Sequence, residues 1–307
     1  MRLSLLYPVK ILLYYTALLL LIIAPACQCK KDNSVTPPPR PEPPKDIYLV
    51  TAIRVNNIPK DSLVYNDKHQ VTERWDYNPT YRIWQNYIAY TYNQEGYVSM
   101  ARYYNENDNT IRSLSQKDSV AWNADRFIIY TTFYRELGNE ISGYDTLNYL
   151  QTNNQRMLTL VGTKDTISIV VGVAVLYKQY QYNGKDITQF QDINWYHVYN
   201  GEPELLSNTF DLAYLPLENP LFPQVSKNPL LFRTIGGDNF PYPSDNYYPY
   251  LLSEHLTAAF TYKTDNVPPK ICPITYKMYD TTQYPQTQSI PGINKTIAYT
   301  YKVIKAD

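Results

Sequence analysis

Tyr90-Thr91-Tyr92-Asn93-Gln94-Glu95-Gly96-Tyr97-Val98 reads as the end of an aromatic strand, a four-residue polar turn and the start of a returning strand. The same spacing occurs at Tyr65-Asn66-Asp67-Lys68-His69-Gln70-Val71, again with Asn directly after Tyr. Looser copies run from Tyr104 to Ile111, from Tyr134 to Ile141 (with Gly138 at the turn) and from Tyr182 to Ile187, where Asn183-Gly184 is the strongest short turn signal. A chain that reverses this often through polar turns predicts an all-β fold. We expect an antiparallel meander of hairpins forming a large twisted sheet, a sandwich or a partly open barrel.

Outward from these hairpins, Asp46–Val55 reads as a first strand with Ile47, Leu49, Thr51 and Ile53 on one face. Thr275–Met278 and Ile297–Val303 alternate cleanly as closing strands. Met157–Val161 and Thr166–Leu176, joined by a turn at Gly162-Thr163-Lys164-Asp165, form the most apolar tract and the expected core hairpin. Short helical turns are expected within Leu205–Leu217 and Tyr248–Thr257. From about 202 to 249 eight prolines interrupt any ladder, so a long irregular crossing is expected there.

The composition is unusual, with 33 Tyr against 8 Phe and 18% charged residues. Tyrosine suits a half-wet sheet face, its ring packing while its hydroxyl finds a polar partner. Lys+Arg and Asp+Glu both number 28, so no basic field exists to attract nucleic acid. Three cysteines do not make a disulfide framework.

The N-terminus divides the chain. Arg2 and Lys10 bracket a short lead to an apolar run from Ile11 to Ile23, too short to span a bilayer as a helix. Its small-residue exit, Ala24-Pro25-Ala26, marks residues 1–26 as a signal peptide. Ala24-Pro25-Ala26-Cys27 resembles the lipobox of bacterial lipoproteins, which implies acylation, palmitate included, at Cys27. The Gln28-Cys29-Lys30-Lys31-Asp32 tract resembles the export signal of Gram-negative surface lipoproteins, implying an outer-membrane protein exposed at the cell surface, or alternatively at the periplasmic face. Residues 27–46, rich in proline from Pro37 to Pro44, read as a stiff tether, and 47–307 as a single β domain. The Tyr-x-Tyr hairpins resemble the YD-type units of Rhs-like proteins and, with Asn228-Pro229-Leu230-Leu231 and Phe260-Thr261-Tyr262, uncharacterised surface lipoproteins of Gram-negative bacteria. That resemblance brings no established activity.

No Gly-x-Ser-x-Gly, His-Glu-x-x-His, Walker or Rossmann motif is present, and His69, His197 and His255 stand apart from any metal-ligand spacing. No catalytic residue, metal or cofactor is therefore expected. Asp61 with Glu73, or Glu202 with Glu204, are the acid pairs a hydrolase would need to bring together. Asn105-Glu106-Asn107-Asp108-Asn109 offers oxygen ligands for Ca²⁺ without the spacing of a calcium loop, and reads as an ordinary turn. Asp61-Ser62-Leu63, Asp118-Ser119-Val120, Asp145-Thr146-Leu147 and Asp165-Thr166-Ile167 match a short O-glycosylation acceptor pattern. Aromatic side chains carry the expected ligand site: Trp195 and, in the proline-rich crossing, Tyr242, Tyr247, Tyr248 and Tyr250. The expected partners are a membrane reached through the lipid, a polysaccharide or peptide ligand, and envelope proteins.

Overall fold

A computed structural model describes residues 46–107, 111–123, 125–135, 140–169, 172–199, 201–231, 253–264 and 267–306. Cys27, Cys29, the tether, Tyr242, Tyr247, Tyr248 and Tyr250 lie outside the described residues. Residues 45–307 form one compact unit.

Its strands are β1 (Ile47–Val55), β2 (Ile58–Tyr65), β3 (Val71–Asn78), β4 (Ile83–Tyr92), β5 (Val98–Asn107), β6 (Ile111–Trp122), β7 (Arg126–Tyr134), β8 (Ile141–Thr152) and β9 (Leu158–Ile169). They continue through β10 (Gly172–Asn183), β11 (Asp186–Val198), β12 (Glu204–Glu218), β13 (His255–Thr264), β14 (Val267–Pro273), β15 (Thr275–Met278), β16 (Pro285–Ile290) and β17 (Lys295–Ile304). Every strand pairs antiparallel with its sequence neighbour as far as β14. β14 and β15 are two parts of one strand divided at Ile274, whose N–H donates to Ala258 O at 2.8 Å. The first part pairs with β13 and the second with β16. β16 pairs with β17, and β17 returns to β1 from Ile47↔Ile304 to Val55↔Ile297. The meander thus comes round on itself as one large, nearly closed barrel-like sheet, which selects among the expected arrangements.

The hairpins anticipated at Tyr65–Val71, Tyr92–Val98, Tyr104–Ile111, Tyr134–Ile141 and Tyr182–Ile187 all fall between paired strands. Four expectations are corrected. Gly162–Asp165 is not a turn: β9 runs through it with a bulge, and Gly162 takes φ +90° with its α-carbon against Leu176 O, where a Cβ would lie 2.3 Å from that oxygen. The chain instead reverses between the paired Ile169 and Gly172. Leu205–Leu217 is not helical but lies in β12, and 255–257 begins β13. β12 tolerates Pro216 because its pairing with β13 skips from Tyr214 to Glu218 there, so the missing N–H breaks no ladder. The irregular crossing accordingly starts at Asn219, not near 202. In β1 a register shift between Val50 and Ala52 breaks the simple alternation, so Leu49, Val50 and Ile53 are all buried.

The barrel interior is apolar and aromatic, with Val50, Ile53, Leu63, Val71, Ile88, Val98, Phe127, Phe190, Phe260 and Ile297 among its buried members. Charges also lie inside. The Arg74 guanidinium meets fully buried Asp61 at 2.7 Å, and Asp118 accepts from Thr131 Oγ1 and from Gln116 Nε2 at 2.8 Å each. Outside, the walls away from β9–β12 display Thr51, Glu73, Arg102, Lys117, Lys263, Thr287 and Lys302, residues a lipid-facing barrel would have to replace with an apolar band.

Candidate functional site

Successive hairpins reverse at alternate ends of the barrel, and the two ends are built differently. The end at which Asp46 enters collects the β2–β3, β4–β5, β6–β7, β8–β9 and β10–β11 turns and the crossing that follows β12. Three of these turns are one construction. Asn66, Asn93 and Asn153 each donate their N–H to the carbonyl four residues on, while their side-chain oxygens accept the N–H of Gln70, Tyr97 and Met157. The fourth residue takes positive φ in each case, at His69, Gly96 and Arg156. His69 is therefore a turn residue, half-buried and with its backbone carbonyl engaged.

Just inside these turns runs a girdle of hydrogen bonds. Tyr65 Oη donates to Val50 O at 2.7 Å, Tyr92 Oη to Val71 O at 2.5 Å, Trp122 Nε1 to Val98 O at 2.8 Å and Tyr182 Oη to Leu158 O at 2.8 Å. Tyr214, Tyr276 and Tyr301 donate likewise to Ile187, Thr257 and Pro285 at 2.7 Å. Each aromatic stands near the end of an outgoing strand and covers a carbonyl near the start of the strand before it. Burial pushes the phenols of Tyr65, Tyr92, Tyr214 and Tyr301 well above the usual tyrosine value.

The described part of the crossing, residues 219–231, plugs this end. Its neck is closed by Asn219, which donates from its N–H to Glu254 O at 2.8 Å and from Nδ2 to Ser253 O at 3.0 Å. A single helical turn, α1 (Phe222–Val225), buries Phe222 and Val225. Beyond it Gln224 Nε2 donates to His69 O at 2.8 Å, Lys227 O accepts the Val98 N–H at 2.9 Å, and Leu231 O accepts from Tyr90 Oη at 3.2 Å. Asn228 is fully buried and donates from Nδ2 to Tyr92 Oη at 3.1 Å. The described part of the crossing is thus a structural plug fastened to the neighbouring turns.

The opposite end has the inverse character. Among the described residues, the large apolar side chains left exposed lie at or beside its turns, with Ile47, Val64 and Tyr130 the exceptions. Tyr81, Ile83 and Trp84 stand at the β3–β4 turn, and Phe133, Ile141 and Tyr144 at the β7–β8 turn. Val198, Tyr199, Leu205 and Leu206 flank the β11–β12 turn, and Val267 and Ile271 the β13–β14 turn. Tyr81 and Tyr144 are 71% and 74% exposed, far more than packing within the barrel would leave them.

Trp195 belongs to this end. It lies on β11 in register with Val175 on β10 and Leu205 on β12, making an outward apolar patch that runs into the rim. Its ring stands 6.1 Å from that of His197. The rim itself was missed in the sequence, although Tyr81-Arg82-Ile83-Trp84 is an apolar run at a turn and was legible as an oddity. Asp61 and Glu73 do not come together: Asp61 is buried against Arg74, whereas Glu73 sits opposite outward-facing Val64. Glu202 and Glu204 are exposed at the rim. Of the acceptor-pattern hydroxyl residues, Thr146 and Thr166 are exposed, while Asp61 and Asp118 are committed to interior contacts. Cys272 is buried, with burial pushing its thiol pKa up.

No protein-family model matches the chain, and no curated protein matches it. Among solved structures it is similar to a porin-like protein from Bacteroides uniformis ATCC 8492, at 9% sequence identity and a TM-score of 0.29, over 82% of this chain and 98% of that one.

Proposed function

We propose that this protein is a non-catalytic binding module, held at the outer membrane by a lipid on Cys27, that engages a glycan through the apolar rim opposite Asp46. The observation that carries the reading is the uneven distribution, among the described residues, of exposed apolar side chains between the two ends. Exposed rings at Tyr81, Trp84, Tyr144 and Tyr199 offer faces on which sugar C–H groups stack, and a glycan suits them better than an extended peptide. The polar outer wall agrees with anchoring by lipid rather than by the strands themselves.

A second reading, an envelope component that docks on partner proteins, is favoured by the apolar side wall next to the rim, where Val175, Trp195 and Leu205 lie side by side. Titrating soluble polysaccharides while following tryptophan fluorescence separates the two. A saturable change abolished by Trp84→Ala with Tyr144→Ala supports the glycan reading. No change across a broad polysaccharide panel, with crosslinking of the rim to envelope proteins, replaces it with the second. The anchor has its own test: Cys27→Ser is expected to release the protein from membranes, and undiminished retention contradicts lipidation.

A further inference from the structure

A cleft of about 490 Å³ opens at the plugged end, between the plug, the start of β1 and the β2–β3 and β4–β5 turns. Its size falls within the range of roughly 300–1,000 Å³ common for small-molecule sites. Tyr48, Tyr92, Tyr284, Pro220 and Pro223 supply apolar walls, and the Tyr48 and Tyr284 rings stand 4.8 Å apart.

The charges around the cleft are unequal in a telling way. Asp46 is already committed, to Lys305 Nζ at 2.7 Å and to the Ala306 N–H at 3.1 Å. Glu218 lies against the Tyr284 phenol, which burial and this carboxylate together push up. Lys68 and Lys227 line the same cleft, and among the described residues neither has a carboxylate partner. Both start from fixed backbone: the Lys68 N–H donates to Asn66 Oδ1 at 3.0 Å, and Lys227 O holds the Val98 N–H at 2.9 Å. Two lysines on fixed backbone, with no carboxylate partner among the described residues, beside tyrosine faces and one acceptor carboxylate, match a particular kind of ligand.

We infer that this cleft binds a hydroxylated, ring-sized ligand bearing a phosphate or carboxylate, with Lys68 and Lys227 on the anionic group, Glu218 on a hydroxyl and the tyrosines against the ring. The assignment is independent of the rim reading, since the cleft lies at the other end of the barrel. An anion held by two ammoniums near solvent is screened by salt, so affinity falls as ionic strength rises.

Calorimetric titration at low salt with glucose 6-phosphate, glucuronate and neutral glucose tests it, alongside pelleting with phosphatidylinositol vesicles and with neutral phosphatidylcholine vesicles. The anionic sugars are expected to bind at least tenfold more tightly than glucose, with the difference lost in Lys68→Gln, Lys227→Gln and the double variant, whose melting temperatures stay unchanged. Binding of the soluble sugars without vesicle retention identifies the anion as free. Retention on anionic vesicles alone, lost in the double variant, identifies it as a lipid headgroup. Absence of binding to every anionic probe, or equal binding of glucose and glucuronate, overturns the inference.

Discussion

Where Asp46 enters the barrel, turn carbonyls, strand-end carbonyls and the plug are joined by side chains from distant parts of the sequence. Tyr90 reaches Leu231, Asn228 reaches Tyr92, and Arg156 pairs with Glu95 at 2.5 Å while its guanidinium covers the Tyr97 ring at 4.6 Å. At the opposite end the same kind of hairpin turns outward and leaves Tyr81, Trp84, Tyr144 and Tyr199 in solvent. Both ends are rich in aromatics, so aromatic content alone does not mark a binding site. What distinguishes them is whether each ring's polar handle and faces are already engaged by the fold. Tyrosines that close the girdle are architecture, and the exposed rings at the opposite end are the surface on which we propose that a glycan binds.

Truncation should separate the ends most sharply. Leu231→Ala, in the fully buried plug, is expected to cost about 2–5 kcal/mol in chemical denaturation. Leu206→Ala, 49% exposed at the rim, is expected to change stability by no more than about 0.5 kcal/mol. Comparable losses at the two positions would dissolve the distinction. Removing one hydroxyl is a gentler probe. Tyr92→Phe leaves Val71 O without its donor and Asn228 Nδ2 without its acceptor, for an expected loss of about 1–3 kcal/mol. Tyr144→Phe, with its ring already in water, should be neutral within about 0.5 kcal/mol.

The smallest effect at neutral pH is the one that emerges in alkali. Burial raises the girdle phenols above their unfolded value near 10. Their contribution is fully present below pH 10. As pH rises further the unfolded chain releases phenolic protons that the folded barrel retains, so stability falls. Denaturation midpoints should therefore decline above pH 10, less steeply in a Tyr65→Phe, Tyr214→Phe variant. Rim substitutions such as Tyr144→Phe should leave the slope unchanged.

The hairpins were legible because the Asn that follows Tyr65 and Tyr92 makes the same side-chain-capped turn in both places. Closure was not, since it rests on β1 meeting β17, strands whose pairing no local pattern encodes. Gly162-Thr163-Lys164-Asp165 misled because its composition suits a turn, whereas it lies within β9 and Ile169 is the residue paired with Gly172. Pro216 misled similarly, since a proline harms a strand only where a ladder bond is required. Trp195 was singled out for its ring and does lie beside the rim, on the outward patch. The rim itself depends on which end each hairpin faces, a property of the closed sheet rather than of any segment.

Hydrogen–deuterium exchange on the folded protein tests the division between the ends most directly. The account predicts slow exchange at the Val98, Asn228 and Leu231 amides, whose partners are Lys227 O, Gln224 O and Asn228 O, and faster exchange at the exposed rim-turn amides of Thr80, Tyr81, Arg82 and Gly201, whose hydrogen bonds only close their own turns. Plug amides that exchange as fast as those of the rim would contradict it.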